Sequence, residues 1–143
     1  MLFGNRAFVA LGLFAGWFPL VCAGCGGASV ATHPVEGQIV RADGSPLDTG
    51  RVEFRGTASD GSVVNAHGRI ESNGTFRLTT FTEGDGAIAG EHQVIVLNPA
   101  VTDGDGPAPP DPFPARYRSY ESSGLTANVE PGENKITLQL EAK

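Results

Sequence analysis

Residues 34–143 are predicted to form an all-β sandwich, on three observations. Apolar residues alternate with polar ones at a period of two in segment after segment, as strands with one buried face require. Asp-Gly, Asn-Gly and Pro-Gly pairs fall between those segments, where tight turns need them. No stretch of the region carries the apolar stripe of an amphipathic helix.

The strands follow in order. Val35 to Val40 forms the first, and Ala42-Asp43-Gly44-Ser45-Pro46 turns the chain after it. Arg51-Val52-Glu53-Phe54-Arg55 puts Val52 and Phe54 on one face and charges on the other. A strand running through Arg69 and Ile70 meets Ser72-Asn73-Gly74, and Thr75-Phe76-Arg77-Leu78-Thr79 repeats the alternation. Val94-Ile95-Val96-Leu97 is apolar on both faces, which fits a central strand covered on both sides or one that packs against a loop. Leu125-Thr126-Ala127-Asn128-Val129 and Lys135 to Glu141 alternate again, joined by Glu130-Pro131-Gly132-Glu133-Asn134. About seven short strands in roughly 110 residues suit two packed antiparallel sheets, an immunoglobulin-like sandwich. Phe54, Phe76, Val94 and Leu138 are expected between the sheets. No Cys…Trp…Cys arrangement is present, so a true immunoglobulin domain is not expected.

The N-terminus is of another kind. Arg6 precedes an apolar run from Ala7 to Val21, and small residues Ala23-Gly24 lead to Cys25. A charged start, a short apolar core and a small-residue cleavage site describe a secretory signal peptide. The core of about 14 residues, broken by Gly12, Gly16 and Pro19, falls short of the roughly 20 that a membrane span needs. Cys22-Ala23-Gly24-Cys25 has redox spacing, but it lacks the strand before and the helix after that a redox motif requires. Ala-Gly-Cys followed by Gly26-Gly27 resembles the lipobox of bacterial lipoproteins, with Cys22 standing where that family usually has Leu. The resemblance implies cleavage before Cys25, lipidation of Cys25, and a membrane-anchored protein of the cell envelope. Gly26 in place of Asp points by the same resemblance to the outer membrane. The expected organisation is a signal peptide over 1–24, a tether over 25–33 and a sandwich over 34–143.

Charge and cysteine count narrow the partners. Of ten basic residues only Arg6 leaves with the leader, so nine remain against 16 acidic, a net charge near -7. Nucleic acid is excluded as a partner, because phosphate binding needs clustered Lys and Arg. Cleavage removes Cys22 and lipidation consumes Cys25, so the exported domain is expected to hold no disulfide and to depend on its apolar core.

Within the sandwich, the order of motifs carries a second resemblance. Val35-Glu36-Gly37-Gln38-Ile39-Val40, Asp43-Gly44-Ser45-Pro46-Leu47 and Gly50-Arg51-Val52-Glu53-Phe54 are similar to the opening of carboxypeptidase regulatory-like domains. Asn73-Gly74-Thr75-Phe76-Arg77-Leu78 and Gly90-Glu91-His92-Gln93-Val94-Ile95-Val96 resemble two later strands of that family. The resemblance implies a transthyretin-like sandwich and a non-catalytic accessory role.

Site chemistry is sparse, and no cofactor and no catalytic residue is assigned. His33, His67 and His92 lie apart without a metal-ligand spacing, and no serine sits in a nucleophile elbow. His92 falls in a strand whose face the pattern leaves open. Asn98 to Pro114 holds six of the ten prolines and reads as a stiff extended loop. Asp103, Asp105 and Asp111 are its candidate calcium ligands, but Pro107 stands where an EF-hand needs its third side-chain ligand and no Glu closes the loop. Glu83-Gly84-Asp85-Gly86 is a second acidic turn of the same sort. Arg116, Tyr117, Arg118 and Tyr120 are the candidate binding residues, able to stack on sugars or pair with acids. The competing expectation is that Phe113 and Tyr117 plug one end of the sandwich. The sequence thus leads to a lipid-anchored, non-catalytic binding or structural module with an envelope protein or glycan as partner. A glycan-binding adhesion module and a metal-dependent enzyme are the alternatives.

Overall fold

The computed structural model describes residues 30–98 and 111–142. The leader, Cys25, Asp103 and Asp105 lie outside the described residues. Nine strands are described: β1 (Thr32–His33), β2 (Val35–Val40), β3 (Arg51–Thr57), β4 (Val63–Arg69), β5 (Thr75–Arg77), β6 (Ala87–Ile88), β7 (Gly90–Leu97), β8 (Leu125–Val129) and β9 (Asn134–Gln139). A 3₁₀ turn (Ala115–Arg118) and a single helical turn, α1 (Tyr120–Ser123), interrupt the β pattern.

Seven of these strands make the sandwich. One sheet has the order β5-β2-β9 and the other β4-β3-β7-β8. The expected count of seven omits β1 and β6, two-residue strands that pair only with each other. They are too short to show alternation, and β1 lies in residues expected to be tether. The pairing of β2 with β9 is parallel, unlike every other pair of the two sheets. On one side the sheets are joined where His67 and Thr79 exchange backbone hydrogen bonds of 2.9 and 2.8 Å.

The core follows from the alternation. Phe54 is fully buried, and its ring lies 5.9 Å from that of Phe76 in the opposite sheet and 6.0 Å from that of His92. Each of those outer rings covers a glycine on the neighbouring strand. A Cβ on Gly37 would stand 2.3 Å from Phe76 Cζ, and one on Gly56 would stand 2.5 Å from His92 Nε2. Glycine is therefore needed at both places for space. Val35, Ile39, Val52, Val94, Leu138 and Leu140 complete this layer. Three of the turns share one chemistry. Asp43, Asp60 and Asn73 each accept hydrogen bonds from the backbone N–H and the hydroxyl of the residue two positions on, around a glycine with φ near +80°. Such Asx turns close on themselves without help from the core.

The two ends of the sandwich differ. At the base, β1 pairs β6, the Gly132 N–H donates to His33 Nδ1 (3.2 Å) and the Asn134 N–H to the Pro34 carbonyl (2.9 Å). At the far end, the Ile39 N–H donates to Gly74 (2.9 Å) and the Ile70 N–H to Gly50 (3.0 Å). Phe113 and Tyr117, each 2 % exposed, belong to the core cluster. The Tyr117 hydroxyl accepts the Glu141 N–H at 2.8 Å, so Tyr117 closes the structure beside the end of β9.

Candidate interaction surface

The segment from Asp111 to Ser123 closes the far end of the sandwich with Phe113 and Tyr117 and then, at Tyr120, reaches the outer face of the β4-β3-β7-β8 sheet. Pro112 and Pro114 keep its start extended, and Gly124, at φ 65°, ends α1 in the left-handed conformation. Ser123 is buried and its hydroxyl donates to the Val94 carbonyl. Contact with this segment explains why Ile95, on the outward face of β7, is only 5 % exposed.

Tyr120 organises the polar part of that face. Its hydroxyl donates to Glu53 Oε1 at 2.8 Å, and the Arg55 guanidinium stacks 3.6 Å from its ring centre. Burial, and then the Glu53 carboxylate it bonds, push the Tyr120 phenol well above its ordinary range. It stays protonated and acts as a donor. Arg55 is half-buried, with a buried Nε that has no hydrogen-bond partner.

The four expected binding residues do not form one patch. Tyr117 faces the core, Arg116 pairs with Glu141, Arg118 pairs with Asp111 at 3.0 Å, and Tyr120 is held by Glu53 and Arg55. Sugar stacking needs a bare ring face. Tyr117 offers none, and Arg55 covers one face of Tyr120. The other half of the expectation, Phe113 and Tyr117 as a plug, agrees with their burial.

The acidic residues are engaged in a similar way. Asp111 accepts from the Asn98 side chain and pairs with Arg118, tying together the two ends of the 99–110 segment. Asp85 accepts the backbone N–H groups of Thr80, Phe81 and Thr82 at 2.7, 3.0 and 3.0 Å. Burial raises the Asp85 pKa, but these hydrogen bonds outweigh it and the carboxyl lies below its ordinary value. The turn read as a possible cation site thus uses its carboxylate to hold its own backbone. Among the described residues no three His, Cys, Asp or Glu side chains gather as metal ligands would.

The histidines are equally separate. His33 sits at the base, His67 is exposed on β4, and His92 is 1 % exposed with Nδ1 3.0 Å from the Gly90 carbonyl. Burial lowers the His92 pKa, and the Gly90 hydrogen bond opposes that shift without cancelling it. A His whose folded pKa lies below 6.5 contributes its full share of stability above pH 6.5. That share is lost as the pH falls from 6.5 toward the folded pKa, because the unfolded chain then binds more protons. Urea unfolding should show stability declining below pH 6.5 by at most about 1.4 kcal/mol per pH unit from this group. His92→Phe, which keeps a ring over Gly56, should flatten that dependence. An unchanged slope would assign the effect to other groups.

A concavity lies on the other sheet. The outer face of β5-β2-β9 forms a shallow depression of about 440 Å³, lined by Glu36, Gln38, Glu71, Arg77, Lys135 and Thr137 among others. An exposed Glu36–Arg77 ion pair bridges it. Charges of both signs alternate there without a dominant one.

One feature of the β3–β4 face was not anticipated by the pattern of single strands. Arg51 stands directly opposite Arg69, and Glu53 opposite His67. Alternation marks each of these as outward, but only the register shows which residue meets which. Comparison with family models, with curated proteins and with solved structures finds no match.

Proposed function

We propose that this chain is a lipid-anchored, non-catalytic β-sandwich of the cell envelope, held to the outer membrane at Cys25 and acting as a binding module. The observation that carries the reading is the short distance from the cysteine to the folded domain. Strand β1 begins at Thr32, seven positions after Cys25, and belongs to the base of the sandwich. A tether of that length reaches at most about 25 Å, at roughly 3.3–3.6 Å per residue. The base then faces the membrane and the far end faces away. The carboxypeptidase regulatory-like resemblance belongs to the same proposal, with an accessory role that needs no catalytic centre.

Cys25→Ser tests the anchor. Lipid chains contribute about 0.8 kcal/mol per buried CH₂, and two or more hold a protein firmly. The variant is expected in the soluble fraction after membrane sedimentation, with loss of incorporated labelled palmitate. Equal membrane retention would mean that the leader itself is the anchor.

A further inference from the structure

The outer face of β3 and β4 presents an arrangement that the fold does not need. The Ile70–Gly50 and Ala58–Ser62 backbone bonds (3.0 and 2.8 Å) make the even-numbered residues the hydrogen-bonded pairs of this ladder. Arg51 and Arg69 are therefore a non-hydrogen-bonded pair, the kind whose Cα atoms approach to about 4.5 Å and whose side chains stand closest. Both are exposed. Like charges directly opposite one another destabilise a sheet.

Among the described residues no carboxylate pairs with either arginine to relieve this repulsion. Arg41, Arg77, Arg116 and Arg118 each pair with a carboxylate and Arg55 stacks on Tyr120, whereas among the described residues Arg51 and Arg69 have neither kind of partner. Glu53, the next outward residue of β3, accepts the Tyr120 hydroxyl. In a chain of net charge -6, two adjacent arginines that form no ion pair among the described residues are a local reversal of sign. They also lie at the far end of the sandwich, beside Leu97 and Ile70. The length of β3, about 20 Å at 3.3 Å per residue, separates them from the opposite end of the strand.

We propose that Arg51 and Arg69 form an anion-recognition site for a carboxylate-bearing segment of a partner protein. Two guanidinium forks side by side match one or two carboxylates through bidentate hydrogen bonds. An extended polyanion fits less well, because beyond the pair Glu53 interrupts the positive charge and Tyr120 covers Arg55, so the face offers no continuous basic track. The orientation away from the membrane rests on the anchoring reading above, while the site itself does not.

The test uses the full chain in detergent micelles, titrated at low salt with a short glutamate-rich peptide. Parallel titrations use inorganic phosphate, a polyuronate and vesicles containing phosphatidylglycerol. Wild type is expected to bind the peptide, and Arg51→Gln/Arg69→Gln to bind it at least tenfold more weakly. Arg77→Gln, which alters an ion-paired arginine of the other sheet, should bind as wild type does. The double variant should melt at the same or a higher temperature, since a repulsion has been removed. Undiminished peptide binding by the double variant would overturn the proposal, as would binding confined to phosphate, polyuronate or vesicles. A lower melting temperature would also overturn it, by showing that the arginines neutralise acids of their own chain. Should Cys25→Ser stay on the membrane while the arginine dependence persists, the anchor fails and the site stands.

Discussion

Phe54→Ala is expected to leave little folded protein. Phe54 is fully buried, and it is the ring through which the two sheets meet, with Phe76 on one side and His92 on the other. Truncating a buried Phe typically costs about 3–5 kcal/mol, through lost transfer energy and the cavity left behind. A domain of this size has about 5–15 kcal/mol in all, so the variant should unfold in low urea and be digested by dilute protease. Urea unfolding followed by far-ultraviolet circular dichroism measures the loss. Arg77→Ala, which removes an exposed ion pair, should change stability by no more than about 0.5 kcal/mol. If Phe54→Ala cost less than Arg77→Ala, the inward and outward faces of these strands would be exchanged.

Gly37→Ala is the second large effect, and it acts by overfilling. An added Cβ would stand 2.3 Å from Phe76 Cζ and 2.5 Å from the Ile136 carbonyl oxygen. The ring can turn only by disturbing its contact with Phe54, and the carbonyl belongs to the β2–β9 ladder. Overpacking of a core costs about 1–3 kcal/mol or more, and here a backbone atom is among those that must shift. Gly44→Ala is the informative comparison. Nothing lies within 4 Å of a Cβ there, but φ is +81°, so its cost of about 1–2 kcal/mol comes from the left-handed conformation alone. Gly37→Ala should lower the urea midpoint further than Gly44→Ala. The reverse order would mean that Phe76 does not lie over Gly37.

Several assignments were legible because they depend only on neighbouring residues. Phe54, Phe76 and Leu138, expected inward from their alternation, and Val94, expected inward from a strand apolar on both faces, all belong to the buried core. Val94-Ile95-Val96, apolar on both faces, is indeed covered on both: the opposite sheet buries Val94 and Val96, and the segment before β8 shields Ile95. The Asp43-Gly44-Ser45 and Asn73-Gly74-Thr75 turns are complete within three residues, so their chemistry can be read directly. Arg55 faces outward, as its alternation requires, but it is half-buried there. Its stacking partner Tyr120 arrives from 65 positions further along the chain, and nothing in Arg51–Thr57 announces it.

Composition and alternation by themselves determined that the described domain is mostly β, which side chains of its strands face inward, and where the chain turns. These are properties of short windows, set by the two-residue repeat of a strand and the φ preferences of Gly, Asn and Asp. Only the tertiary structure decided which strands share a sheet. The consecutive strands β8 and β9 lie in different sheets, and β9 runs parallel to β2, the strand most distant from it in the sandwich sequence. It also decided that Tyr117 is core, that Asp85 and Asp111 are already bonded, and that Arg51 faces Arg69. Pairing joins segments tens of residues apart, and its register depends on the fit of the whole core. A strand's own pattern names the face each side chain takes, but not its neighbour across the ladder.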